Sequence, residues 1–233
     1  MMLTRGLVQR RLRQVHFWLG AVIGAQVLLW IGSGLFMVLF DIEEVRGNHL
    51  RAPVADAPLI LMGDTIPPEA ALSLAPFPAY EAELKVIRGK TVWLISGEDD
   101  RLLIDAVREE VMPLPNAQRI AEVAAERYSG RGTVQQTEYL ETGPQEVGSN
   151  APVWAVTFGP KDKATLYLDP VTAELQKVRT PLWRAFDFAW GLHIMDWTTR
   201  ENFNSWWIKA TAVFSFIFAC AGGLLVATRL TRR

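Results

Sequence analysis

Three histidines, His16, His49 and His193, are the whole imidazole stock of this chain. Two of them stand in or beside long apolar runs, where an ionisable side chain is expensive and marks a functional position by default. His16 lies near the start of Gln14–Phe40, a run without Asp, Glu, Lys or Arg, and is followed by Gly20 and Gly24 at four-residue intervals. On a helix these three share a stripe, and the two glycines leave a flat groove beside the imidazole. Such a groove suits a neighbouring helix or a flat cofactor. An iron porphyrin requires a planar apolar slot and one or two axial side chains, commonly histidine, so haem b is the cofactor that this set fits. The competing reading of His16 is an interfacial residue beside the N-terminal arginines.

His193 belongs to a second pattern, Trp183, Phe186, Trp190, His193 and Trp197, spaced by threes and fours. A helix over Leu182–Trp197 would put all five on one face, with Arg184 and Asp187 off it, as in a helix lying at a membrane surface. The alternative to a ligand role is an aromatic belt with a histidine embedded in it. Gly191 weakens the helix slightly, and Thr198 with Glu201 has the spacing of a capping box for a following helix. His49 comes nine residues after Phe40, near the same membrane face as His193. At about 1.5 Å per residue, the helix from His16 to Phe40 is roughly 36 Å long. His16 and His193 therefore lie near opposite faces and serve two sites rather than one. No HxxxH or CxxC spacing accompanies the histidines, which argues against zinc, and no dinucleotide, flavin or iron–sulfur signature is present.

The elements that must hold these residues are two apolar spans. Gln14–Phe40 exceeds the roughly 20 residues that cross a bilayer core, and Ala210–Thr228 is again free of charge. Lys209 can snorkel from the second span, and Trp206 and Trp207 suit a lipid boundary. The first apolar run is too long for a cleaved signal and lacks its small-residue site. Arg5, Arg10, Arg11 and Arg13 precede the first span, and Arg229, Arg232 and Arg233 end the chain. Without those seven, 17 basic residues face 25 acids. Basic ends around an acidic middle place both termini in the cytoplasm and the central region outside the inner membrane. Nothing suggests a nucleic-acid partner. The single Cys220 sits in the second span as a small packing residue, so the exported region folds without a disulfide.

That region reads as α+β. A short helix at Glu69–Leu74 precedes strands at Ala82–Ile87, Thr91–Ser96 and Arg101–Asp105, separated by dense turn residues. A helix over Asn116–Tyr128, with Asn116 as N-cap, precedes strands at Thr133–Leu140, Pro152–Phe158 and Ala164–Leu168. Leu103-Ile104-Asp105-Ala106-Val107 lies over Tyr167-Leu168-Asp169-Pro170-Val171 at an offset of 64 residues, with Glu110-Val111 over Glu174-Leu175. This is an internal repeat of a helix and a small antiparallel sheet. Asp105 and Asp169 each close a turn through their own backbone.

The segment Thr165–Leu175, TLYLDPVTAEL, resembles the terminal strand and turn of a PepSY domain. Arg13-Gln14-Val15-His16-Phe17-Trp18-Leu19-Gly20 is similar to the opening of the PepSY-associated transmembrane helix, and Gly191-Leu192-His193 to that family's second membrane histidine motif. The family pattern usually places Gly after the turn, where this chain has Ala173, and Arg108 or Glu109 in the first copy. The resemblance implies an α+β membrane protein with two transmembrane helices flanking a periplasmic tandem PepSY-like domain. Its divisions are a basic terminus at 1–13, a span at 14–40, and a PepSY-like region at 41–180 with copies at about 66–114 and 115–180. A surface segment at 181–204, a span at 205–228 and a tail at 229–233 follow. Larger PepSY membrane proteins include haem reductases implicated in removing iron from siderophores. This chain resembles half of such a unit, which implies a homodimer or another membrane subunit, fed by an electron-donor protein. His16 would pair with a partner's His16, and His193 with His49 or a partner histidine. The same resemblance extends to peptidase propeptides and regulators, so the alternative is a membrane-anchored peptidase-binding module.

Overall fold

The computed structural model describes residues 2–53, 65–87 and 89–230. Helix α1 runs Met2–Val38, so the first span continues the helix of the basic N-terminal residues without a break. Its stretch Phe17–Val38, 22 residues with mean hydropathy 1.9, is long and apolar enough to cross a membrane. Phe17, Trp18, Val22, Leu28, Ile31, Leu35 and Val38 are exposed around its circumference. A helix apolar on every side and exposed over one broad face suits lipid rather than water. A single helical turn, α2 at Ile42–Val45, follows.

Two copies of one motif come next. Helix α3 (Pro68–Ser73) precedes β1 (Ala79–Ile87), β2 (Lys90–Gly97), β3 (Arg101–Asp105) and β4 (Glu110–Val111); helix α4 (Ala117–Glu126) precedes β5 (Thr133–Leu140), β6 (Val153–Gly159), β7 (Thr165–Leu168) and β8 (Leu175–Arg179). Each set of strands forms an antiparallel sheet in chain order. The short extended piece expected after each Asp turn is a paired strand in both copies, β4 and β8.

Both faces of each central strand are buried, which is why β2 and β6 read as continuous apolar runs. Trp93 and Ile95 meet Ala71 of α3 in one cluster, while Val92 and Leu94 join Ile87 and Leu103 on the reverse. In the second copy Val156 and Phe158 pack with Ile120, Val123 and Ala124 of α4, and Val153 and Ala155 pack with Tyr167 behind. Asn116 caps α4 through its Oδ1, which accepts from Arg119 N–H at 2.9 Å. Leu50 also enters the second core.

The repeat is one of geometry as well as of order. Asp105 Oδ1 accepts from the N–H groups of Val107 and Arg108, both at 3.1 Å. Asp169 Oδ1 accepts from Val171 and Thr172 at 2.8 and 2.9 Å. The residue that closes each turn is left-handed, Glu109 at φ 61° and Ala173 at φ 60°. These are the positions where the family pattern carries glycine, and the first copy's equivalent of Ala173 is Glu109 rather than Arg108. The copies are joined by Arg101, whose guanidinium reaches Asp169 Oδ2 at 2.6 Å, and by Val171, which enters the cluster behind the first sheet.

After β8 come α5 (Pro181–Ile194) and α6 (Trp206–Leu230). The molecule divides into two compact units: residues 46–181 hold the tandem sheets, while residues 1–45 and 182–233 hold α1, α2, most of α5, and α6.

Candidate functional site

Within the helical unit, α5 carries Trp183, Phe186, Trp190 and His193 on a half-buried face, as their spacing requires. The face ends sooner than expected. Met195 is left-handed at φ 54°, the helix stops at Ile194, and Trp197 lies off it with 58% of its surface exposed. The stop is made by Asp196, whose carboxylate accepts from the N–H groups of Thr198, Glu201 and Asn202 and from the hydroxyls of Thr198 and Thr199. The Thr199 hydroxyl and the Asn202 N–H, foremost among these, hold the Asp196 carboxyl far below the usual carboxylate range. Thr198 and Glu201 are thereby consumed in a loop and do not cap α6. That role falls to Ser205, whose Oγ accepts from Ile208 N–H at 3.4 Å.

The loop also returns onto α5. Arg200 pairs with Asp187, and its carbonyl accepts from Trp190 Nε1 at 3.0 Å. Gly191 makes this approach feasible, since a Cβ there would stand 3.1 Å from both Arg200 Cγ and the Asp196 carbonyl oxygen. The glycine that weakens the helix in isolation is the contact point that fixes its end.

His193 meets α1 at Ser33 and Gly34. Its Nδ1 is 3.1 Å from Ser33 Oγ, and a Cβ on Gly34 would touch its Cε1 at 3.4 Å. The serine, only 6% exposed, directs its single proton back along α1 to the Leu29 carbonyl at 2.7 Å. With that proton on a backbone carbonyl, that of Leu29 or that of Trp30 at 3.2 Å, its oxygen is set to accept from Nδ1–H, and the tautomer that makes this bond carries its lone pair on Nε2. An imidazole held by Nδ1 with a bare Nε2 is the form that ligates a metal or takes a proton. Ser33 was missed in the sequence, although a hydroxyl between Gly32 and Gly34 inside an apolar run is itself a signal.

The remaining candidates are dispersed. His16 lies in α1, and its side chain falls outside the described residues. At about 1.5 Å per residue it is roughly 26 Å along the helix from Ser33. His49 is exposed in a single 3-10 turn of the other unit, where its carbonyl accepts from Ser129 Oγ at 2.9 Å. Gly20 packs against α6, a Cβ there standing 3.1 Å from Phe218 Cζ, whereas Gly24 faces open space. A groove of about 660 Å³ does open between α1 and α6, on another face, with Leu19, Ile23, Gln26 and Leu29 opposite Phe214 and Phe218. On α6 Ser215 is half-buried while Ala219 and Gly222 are exposed or open.

The family described as the PepSY-associated TM region matches residues 13–233. The chain belongs to this family. No curated protein and no solved structure matches it. As a PepSY-associated TM protein it is a membrane protein of α+β fold with antiparallel sheets and an apolar N-terminal helix. Among its described residues no group of three His, Cys, Asp or Glu side chains is placed to hold a metal ion.

Proposed function

We propose that the protein binds haem b in the inner membrane through His193 and passes electrons across the bilayer as a subunit or homo-oligomer of a reductase acting on a ferric substrate. The observation that carries this reading is the Ser33–His193 contact, 3.1 Å long, on a half-buried aromatic face; in the tautomer that donates from Nδ1 to the serine, Nε2 carries the lone pair. Haem supplies one-electron exchange at its iron when bound. The chain's part is to hold one axial nitrogen in one tautomer, to fence it with Trp190 and Phe186, and to keep water from it.

In this reading α6 is the second span and both termini are cytoplasmic, which leaves the sheet unit periplasmic. His16 near the cytoplasmic face serves a second haem. Each site then has one histidine per chain, so a second copy or another membrane subunit supplies the other ligand, and a separate protein supplies electrons.

Purification from haem-replete cells and an absorption spectrum test the reading. A Soret band is expected, reduced in His193→Ala and in His16→Ala and lost when both are replaced. A folded preparation without that band, together with peptidase binding that survives replacement of all three histidines, would instead favour the peptidase-binding module.

A further inference from the structure

We propose that the groove between α1 and α6 binds the ring of an isoprenoid quinone, with Gln26 as its hydrogen-bond donor. This goes beyond the haem reading and does not depend on it. Gln26 lines the groove, yet its Nε2 is buried with no hydrogen-bond partner among the described residues. The same is true of Trp30 Nε1, one turn further along α1, and of Ser215 Oγ, which lies on α6 between the groove residues Thr211 and Phe218. Three orphaned donors gathered in one helix pair are costly in a bilayer, where no water serves them. The missing partner is therefore an acceptor.

Depth and charge say which acceptor. Gln26 and Trp30 flank the midpoint of Phe17–Val38, within about 4 Å of it at 1.5 Å per residue. The ester carbonyls of phospholipids lie at the edges of a hydrocarbon core about 30 Å thick, roughly 15 Å away. No Lys or Arg lines the groove, so an anionic head group finds no counter-charge there. A neutral, flat, apolar molecule that resides in the hydrocarbon and carries carbonyl oxygens meets every condition, and a prenylated quinone is that class. The groove's volume of about 660 Å³ lies within the range of small-molecule sites. The amide torsion of glutamine is soft, so Nε2 can turn from its covered position toward a seated ring.

The test uses the full chain in detergent, in both the wild-type form and the haem-free form with His16→Ala and His193→Ala combined, titrated with a decyl-tailed benzoquinone and read by quenching of tryptophan fluorescence. Saturable quenching is expected in both, with the apparent Kd raised about tenfold or more in Gln26→Leu, as loss of one hydrogen bond to a buried acceptor implies. Leucine is better tolerated in a span than glutamine, so loss of folding does not explain a weaker site. Ile217→Trp, which fills the groove, should abolish saturation. Quenching that rises linearly with quinone and is equal in wild-type and Gln26→Leu would overturn the proposal. So would cross-linking from Gln26 to a second copy or to phospholipid with no quinone recovered in organic extracts. Survival of saturable binding in the double histidine variant, which has no Soret band, would separate failure of the haem reading from failure of this one.

Discussion

A serine hydroxyl has one proton, and where Ser33 spends it decides which nitrogen of His193 is bare. The hydroxyl lies 2.7 Å from the Leu29 carbonyl and 3.2 Å from that of Trp30, and a proton spent on either leaves the oxygen to accept from Nδ1–H. Ser33→Ala should free the imidazole to adopt either tautomer and to rotate, lowering haem retention about ten- to hundredfold, the usual effect of losing a partner behind a ligand. Ser33→Thr, which keeps the hydroxyl, should restore it. Soret absorbance after competition with a haem acceptor reads both. A second residue-scale prediction concerns the aspartates of the repeat. Burial alone would raise the Asp169 carboxyl, but the Thr172 N–H, Arg101 and the Val171 N–H together hold it below the ordinary range; burial is likewise outweighed at Asp105 by the N–H groups of Arg108 and Val107 and by Lys90. A depressed folded pKa contributes stability that is present above the unfolded value, about 3.9, and lost as pH falls through the folded value. Thermal stability should therefore drop steeply below about pH 4. Asp169→Asn should cost about 1.5–3 kcal/mol at pH 7 and flatten the acid limb in melts followed by circular dichroism.

At the scale of elements, the left-handed residues in the two equivalent turns make unequal predictions. Glu109 is exposed, so Glu109→Gly relieves a conformational strain of about 1 kcal/mol without losing contacts, and should raise Tm by about 2 °C. Ala173 is only 3% exposed and packs in the second core. Ala173→Gly relieves the same strain but removes a buried methyl, so its melting temperature should stay near wild type. If both variants melt alike, burial at Ala173 is not offsetting the turn. The sheets themselves were legible because their evidence is local: apolar runs at strand length, turn residues between them, and a 64-residue echo. The end of α5 was not. Its three-and-four period continues through Trp197, while the residue that stops it, Asp196, does so with donors two to six positions ahead, which no period records. The groove between α1 and α6 was not legible for a similar reason. Gly20 and Gly24 make a stripe on paper, but only the partner helix decides which face of α1 is covered, and it covers the Leu19–Gln26 side. Ser33 and Gln26 stood in plain view in the apolar run, yet their significance depends on which helix arrives opposite.

For the whole molecule the open question is how the chain is threaded, and the proposed reading rests on electrostatics: seven arginines outside the proposed spans would resist translocation, while the acidic region between them would not. Phe17–Val38 qualifies as a span by itself, whereas the apolar part of α6 within the described side chains, Trp206–Cys220, is shorter, so α6 is the element to test. Cys220, exposed on α6, must first be removed as Cys220→Ser, after which single cysteines report position. Asp99→Cys, in the turn between β2 and β3, should react with a membrane-impermeant maleimide in intact spheroplasts. Arg233→Cys should react only after lysis. Should both label without lysis, α6 does not cross, and the chain is a single-span protein with α5 and α6 on the surface of one leaflet. In that arrangement His193 and Ser33 would still meet at the outer end of α1, but the second span that carries Phe214 and Phe218 into the bilayer would be absent, and the quinone groove would have no second wall at the depth of Gln26. The labelling pattern thus bears on threading and on the groove at once, while leaving the imidazole geometry at Ser33 to be judged by its own spectrum.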